Sequence, residues 1–187
     1  MSVYKTNLIS ITKQEEIKAD CILSIGCQED DKKYFKSFEA KEFYTLDVER
    51  SHKPNFLWDM NRPIDDAEPE LGQDLIEKFD VVLALNLWEY IFDPVTAHRN
   101  ILNFLKRGGM YIGNYPFIYP QHNPVFMDFL RYTPLGVSKI LKEAGFSDID
   151  QTLILSNNIA RYYLLDSAKT AAHVDHRTIG TFIYAKK

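Results

Sequence analysis

The sequence predicts a single α/β domain over residues 1–187, built on a doubly wound, mostly parallel seven-stranded sheet that ends in an antiparallel hairpin. Three observations carry this expectation. Asp20 to Asp47 reads as strand, turn, helix and strand; short apolar runs then alternate with capped helical stretches; and two β-rich segments close the chain.

Each element has its own signature. Cys21 to Ile25 is an apolar run that stops at Gly26, as a strand buried on both faces of a parallel sheet requires. A loop and helix, Glu29 to Glu39, follow, and Phe43 to Leu46 forms a second strand that ends at Asp47, completing a βαβ half-unit. Upstream, Leu8, Ile9 and Ile11 suit a sheet edge and Lys13 to Lys18 a short helix, and the residues do not choose between them. After Pro54, the run Asn55 to Trp58 is a third short strand that again stops at an acid, Asp59. Asp65 and Asp66 are cap residues for a helix over Ala67 to Lys78, whose apolar stripe is Leu71, Leu75 and Phe79. Val81 to Leu85, ending at Asn86, is the strongest strand and belongs in the sheet centre.

Asp93 and Pro94 open a helix to Leu105, with Gly108 and Gly109 as its stop and Met110 to Gly113 as the fifth strand. Asn114 to Tyr132 holds Pro116, Pro120 and Pro124 without a clean period, which predicts a long irregular connection. Thr133 and Pro134 repeat the cap-plus-proline start, and Gly145 is the C-terminal cap. Ile149 to Leu155 and Thr178 to Ala185 are the strands of the late hairpin, with room for a small helix near Ala160 to Leu165.

Composition bounds the function. With 22 basic and 26 acidic residues and no long block of one sign, the chain has no electrostatic footprint for nucleic acid. The two cysteines, Cys21 and Cys27, lie along one strand and its exit, roughly 20 Å apart in extended chain, too far for a disulfide. Reduced thiols, no secretory apolar core and no run of about 18 apolar residues predict a cytoplasmic protein without a membrane span. His173 and His176 have no further ligands nearby in sequence, so no metal is expected, and neither a nucleophile elbow nor a phosphate-cradling lysine loop occurs.

The chemistry is expected where polar residues end the apolar strands. Gly26, Asp47, Asp59 and Asn86 each fall first after a strand, and open parallel sheets bind ligands in the crevice beyond those carboxyl ends. Any one of them is also an ordinary turn residue; their joint spacing points to a ligand. Asp47 follows Gly26 by 21 residues, close to the separation at which nucleotide-binding folds set a carboxylate against ribose hydroxyls. The dinucleotide fingerprint is broken, because Gln28 and Asp31 stand where its second and third glycines belong. Glu29, Asp30 and Asp31 at the next helix start oppose a phosphate and favour a cationic, phosphate-free cofactor.

This order of motifs resembles the class I S-adenosylmethionine-dependent methyltransferases of the type 11 and 12 groups, which have a Rossmann-like sheet. The matching stretches are Ile22 to Cys27, Phe43 to Asp47, Phe79 to Tyr90, Leu105 to Gly109, and Arg131 to Pro134 with Leu141 to Phe146. The resemblance implies that S-adenosyl-L-methionine meets Gly26 and Cys27 at its methionine portion, Asp47 at the ribose hydroxyls and Val48 at adenine. It also implies that Asp59 accepts from the adenine amino group with Met60 beside it, and that Asn86 and Leu87 lie under the sulfonium and ribose. The chain departs from the family's Gly-x-Gly, having Gly26-Cys27-Gln28, and has Glu89-Tyr90 in place of the family's frequent Glu-His pair.

The implied activity is methyl transfer to a small-molecule or sugar-like acceptor. Positioning and exclusion of water supply much of such a displacement, and a general base is optional. His122 is the first candidate for one and Asp128 the second, although Asp128 is also placed to pair with Arg131 and His122 also reads as a surface residue. The segment Tyr115 to Tyr132 leaves the fifth strand at its carboxyl end and is expected to form the acceptor side of the cleft, where Tyr115, Phe117, Tyr119 and Tyr132 either line a pocket or pack the connection down. Two other classes compete: a methyltransferase-like binding or scaffold protein with a degenerate cofactor site, and, more distantly, a nicotinamide oxidoreductase.

Overall fold

A computed structural model describes residues 19–26, 40–118, 121, 125–155 and 178–187. Its strands are β1 (Cys21–Ile25), β2 (Glu42–Asp47), β3 (Phe56–Leu57), β4 (Phe79–Ala84), β5 (Leu105–Pro116), β6 (Asp148–Leu155) and β7 (Thr178–Lys186). They form one seven-stranded sheet in the order β3-β2-β1-β4-β5-β7-β6. The first five are parallel; β7 runs antiparallel to both β5 and β6. The predicted α/β sheet with its late hairpin is therefore the observed one.

Strand alternation sorts the core into two layers. Leu23, Ile25, Phe79, Val82, Tyr111 and Ile183 face the larger layer, while Ile22, Val81, Leu83, Ile112 and Phe182 face the smaller. The described helices α1 (Pro69–Leu75), α2 (Pro94–Phe104) and α3 (Pro134–Ala144) all contribute to the larger layer, through Leu75, Ile101 and Leu141 among others. Every residue of β1 is buried, as its unbroken apolar run requires of a strand covered on both faces.

The end of the sheet remote from the strand carboxyl termini is tied by Asp80. Its carboxylate accepts from the Asp20 and Cys21 amides at 3.1 and 2.8 Å and from Lys106 Nζ at 2.8 Å, joining β1, β4 and β5. Partial burial alone would raise this carboxyl, but Lys106 and the two amides outweigh it and hold its pKa below the usual value.

Caps set α2 and α3 as the sequence predicts. Asp93 accepts from the Thr96 amide at 3.1 Å, Thr133 Oγ1 from the Gly136 amide at 3.1 Å, and Gly145 leaves α3 in the left-handed region at φ 115°. Two expected boundaries are corrected. The Ala67 to Lys78 helix is confined to Pro69–Leu75: Asp65 and Asp66 sit in a 3-10 turn, and the chain leaves the helix so that Glu77 and Lys78 donate to Asn103 and Phe104 carbonyls. Phe79 then belongs to β4, not to a helical stripe. The second correction concerns Gly108 and Gly109, which lie inside a 12-residue β5. The register between β4 and β5 shifts there, and a Cβ on Gly109 would stand 2.9 Å from the Lys106 carbonyl oxygen and 3.1 Å from that of Phe79. The glycine pair is a bulge that lets α2 run directly into β5.

Candidate active site

Strand order reverses between β1 and β4, and a cleft opens at the carboxyl ends of the strands at that point. Ile25 and Gly26 from β1 and Leu46, Asp47 and Val48 from β2 form one side. Trp58, Asp59, Met60 and Asn61, which follow β3, form the floor of the same side. Leu87, Tyr90 and Ile91 after β4, with Met127 and Phe129, form the opposite wall. Gly26 adopts φ 68°, and a Cβ there would approach Leu87 Cδ1 to 3.0 Å, so the close passage of β1 past the β4 exit depends on glycine.

The acids are held in place by the backbone that follows them. Asp47 Oδ1 accepts from the Glu49 amide at 2.9 Å and Oδ2 lies 3.0 Å from His52 Nδ1. Asp59 Oδ1 accepts from both the backbone amide and the side-chain amide of Asn61, each at 2.9 Å. Asn61 Oδ1 in turn accepts from the Phe92 and Asp93 amides at 2.7 and 2.9 Å. One asparagine thus joins the loop after β3 to the loop after β4 across the cleft. Asn100 reinforces it from α2, accepting from Ile64 N at 2.9 Å and donating to the Arg62 carbonyl at 2.7 Å.

The structure brings Gly26, Asp47, Val48, Asp59, Met60 and Leu87 to this one cleft. Asn86 stands apart from the lining: it is in the left-handed region at φ 54°, and its amide donates to Asn114 Oδ1 at 3.0 Å while its side-chain oxygen accepts from Asn114 Nδ2 at 3.1 Å. Cys27 and His122, together with Gln28, Tyr119, the acids at 29–31 and the helices and edge strand expected before Ala19, over 29–39 and near 160–165, lie outside the described residues. Asp128 is buried at its side chain and is engaged by Arg131, whose Nη1 and Nη2 donate to its two oxygens, the second at 2.7 Å. Tyr115 and Tyr132 pack inward and do not line the cleft.

Trp58, Asn61, Tyr90 and Ile91 line the cleft without being among the expected residues, whereas Met127 and Phe129 fall in the 115–132 segment expected on its acceptor side. Asn61, two residues past a strand-ending acid, carried the signal of an Asx-type turn. Trp58, Tyr90 and Ile91 carried none, because largely apolar side chains in short loops look the same whether they face a core or a cleft.

Behind the Tyr90 and Ile91 wall runs a buried polar chain. Burial drives His98 down to about 3, so its ring is neutral. Nδ1 must carry the proton, donating to the Pro94 carbonyl at 2.5 Å, and Nε2 accepts from the Tyr115 hydroxyl at 2.6 Å. Tyr111 then donates to Tyr115 at 2.7 Å. Trp88 stacks on His98 at 3.9 Å between ring centroids, and Tyr132 donates to the Trp88 carbonyl at 2.9 Å. The chain fixes the backbone from which the cleft wall hangs. Among the described residues, no group of three or more His, Cys, Asp or Glu is arranged to hold a metal, and no helix is long and apolar enough to cross a membrane.

This sheet order, with its antiparallel closing hairpin and a cleft at the reversal point, is the class I S-adenosylmethionine-dependent methyltransferase fold. Solved structures share it over nearly the whole chain. A methyltransferase of this kind from Mesorhizobium loti is 12% identical, with a TM-score of 0.66, over 100% of this chain and 99% of its own. One from Archaeoglobus fulgidus is 14% identical, with a TM-score of 0.64, over 98% of this chain and 94% of its own. Phosphoethanolamine N-methyltransferase 2 of Haemonchus contortus, solved in complex with S-adenosyl-L-methionine, is 15% identical, with a TM-score of 0.62, over 97% of this chain and 52% of its own. No protein-family model matches the sequence, and no curated protein sequence is similar to it.

Proposed function

We propose that the chain is an S-adenosylmethionine-dependent methyltransferase acting on a small-molecule acceptor, a single domain working in the cytoplasm. The observation that carries this is the cleft itself: on a methyltransferase fold, two carboxylates on adjacent strand ends face one space beside a glycine that permits close approach. Acceptors for hydroxyls and an amino group, with no lysine or arginine lining the cleft among the described residues, fit a cationic ligand without phosphate.

In this reading Asp47 holds the ribose hydroxyls, Val48 and Met60 flank the adenine and Asp59 takes its amino group. Gly26 with Cys27 receives the methionine portion, and Leu87 lies under the sulfonium. The bound cofactor supplies an electrophilic methyl group on a positively charged sulfur. The chain orients the acceptor and excludes water from the apolar wall of Leu87, Ile91 and Met127. Asp128 is engaged with Arg131, so His122 is the residue proposed to accept a proton from the acceptor where one must leave.

One observation favours a second reading, a methyltransferase-like binding protein with a degenerate cofactor site: both Asp47 oxygens already accept or face a donor within the chain. Each carboxylate oxygen has a further lone pair, so these contacts orient Asp47 without exhausting it. Thermal melting separates the readings. S-adenosylhomocysteine at a hundred times its dissociation constant should stabilise the fold by about 2.7 kcal/mol. A shift with NADH and none with S-adenosylhomocysteine would contradict the proposal.

A further inference from the structure

The wall opposite the acids continues outward as an exposed aromatic rim. Phe92 is 72% exposed, Phe126 80%, Phe129 49% and Met127 37%. Met127 and Phe129 line the cleft, and the Phe92 ring meets Phe129 edge to face at 5.8 Å between centroids. Backbone bonds hold the rim where it leaves Phe129: the Phe129 amide donates to the Glu89 carbonyl at 2.7 Å, and Tyr132 N to the Pro116 carbonyl at 2.8 Å. Single exposed apolar residues are ordinary on any surface, but a contiguous set placed by fixed backbone against a cleft marks a binding surface.

We infer that the methyl acceptor presents an aromatic ring or other flat apolar group to Phe92, Met127 and Phe129. This rests on the reading of the cleft as a methyl-donor site. The carboxylates and the amide of the lining, Asp47, Asp59 and Asn61, stand on the β2 and β3 side, while the β4 side offers Leu87, Ile91, Met127 and Phe129 with the Tyr90 phenol. A polyol on that second side would leave most of its hydroxyls facing carbon. Other occupants of the rim fit less well. At these exposures the four side chains present on the order of 400 Å², about half of the ~800 Å² per partner of a stable dimer. An anionic membrane would need a basic surround, and among the described residues Arg131, which follows the rim in sequence, is engaged by Asp128.

The test uses 1-naphthol as an apolar probe and methyl β-D-glucoside as a polyol, each titrated into protein saturated with S-adenosylhomocysteine. Naphthol should bind and the glucoside should not. Phe92→Ser and Phe129→Ser should each weaken naphthol at least tenfold, with Phe92→Leu retaining most of the affinity and melting temperature confirming that each variant is folded. S-adenosylhomocysteine affinity should stay within about threefold in Phe92→Ser, whose ring lies outside the cofactor half. If S-adenosylhomocysteine binds but naphthol does not, or binds equally to both serine variants, the inference falls and the methyl-donor reading stands. If S-adenosylhomocysteine itself fails to bind, both fall together. Preferential binding of the glucoside, or a wild-type dimer in sedimentation that either serine variant dissolves, also overturns the inference.

Discussion

His98 shows how a single side chain couples the site to stability. It is fully buried, stacked under Trp88 and bonded to Pro94 and Tyr115, and its native pKa is about 3 against an ordinary 6.5. Between those values the unfolded chain takes up a proton that the native ring refuses. Stability is therefore intact above about pH 6.5 and falls as the pH drops toward 3, by about 1.4 kcal/mol per unit from this group alone. Denaturant titrations at pH 6.5 and pH 5 should show that slope in the wild type and its loss in His98→Gln. Equal slopes would mean that the ring is already protonated or accessible in the native state. None of this was legible beforehand, since a histidine on an apolar helix face carries no mark of whether it will be a neutral core residue.

Elements explain which parts of the site the sequence disclosed. Gly26, Asp47 and Asp59 could be found because strands of a parallel sheet end abruptly in turn-forming polar residues, and the fold gathers those ends. Asn86 obeyed the same rule and yet serves the chain itself, bonding Asn114 on the neighbouring β5. The rule locates the rim of the sheet but does not say which way a side chain turns there. The Gly108-Gly109 bulge was read as a helix stop because glycine pairs punctuate both; only the β4 register separates the two meanings. Asn61 is the clearest omission. Replacing it with alanine removes one acceptor for the Phe92 and Asp93 amides and one donor to Asp59, and should cost roughly 1 to 3 kcal/mol in denaturant unfolding while also weakening S-adenosylhomocysteine. Unchanged stability would show that the two loops are positioned without it.

At the scale of the whole molecule, the two ends of the sheet have different work. Asp80 and its lysine and amide partners fasten one end, and at the other the strand termini separate around the cleft that Asp47 and Asp59 line. We propose that this space holds S-adenosylmethionine through Asp47. Calorimetric titration of the wild type and Asp47→Ala with S-adenosylhomocysteine tests it most directly. A carboxylate hydrogen-bonded to ribose contributes roughly 1.5 to 3 kcal/mol, so the wild type should bind saturably at one site and the folded variant at least tenfold more weakly. Equal affinity in the two proteins, or no binding to the wild type, would contradict it.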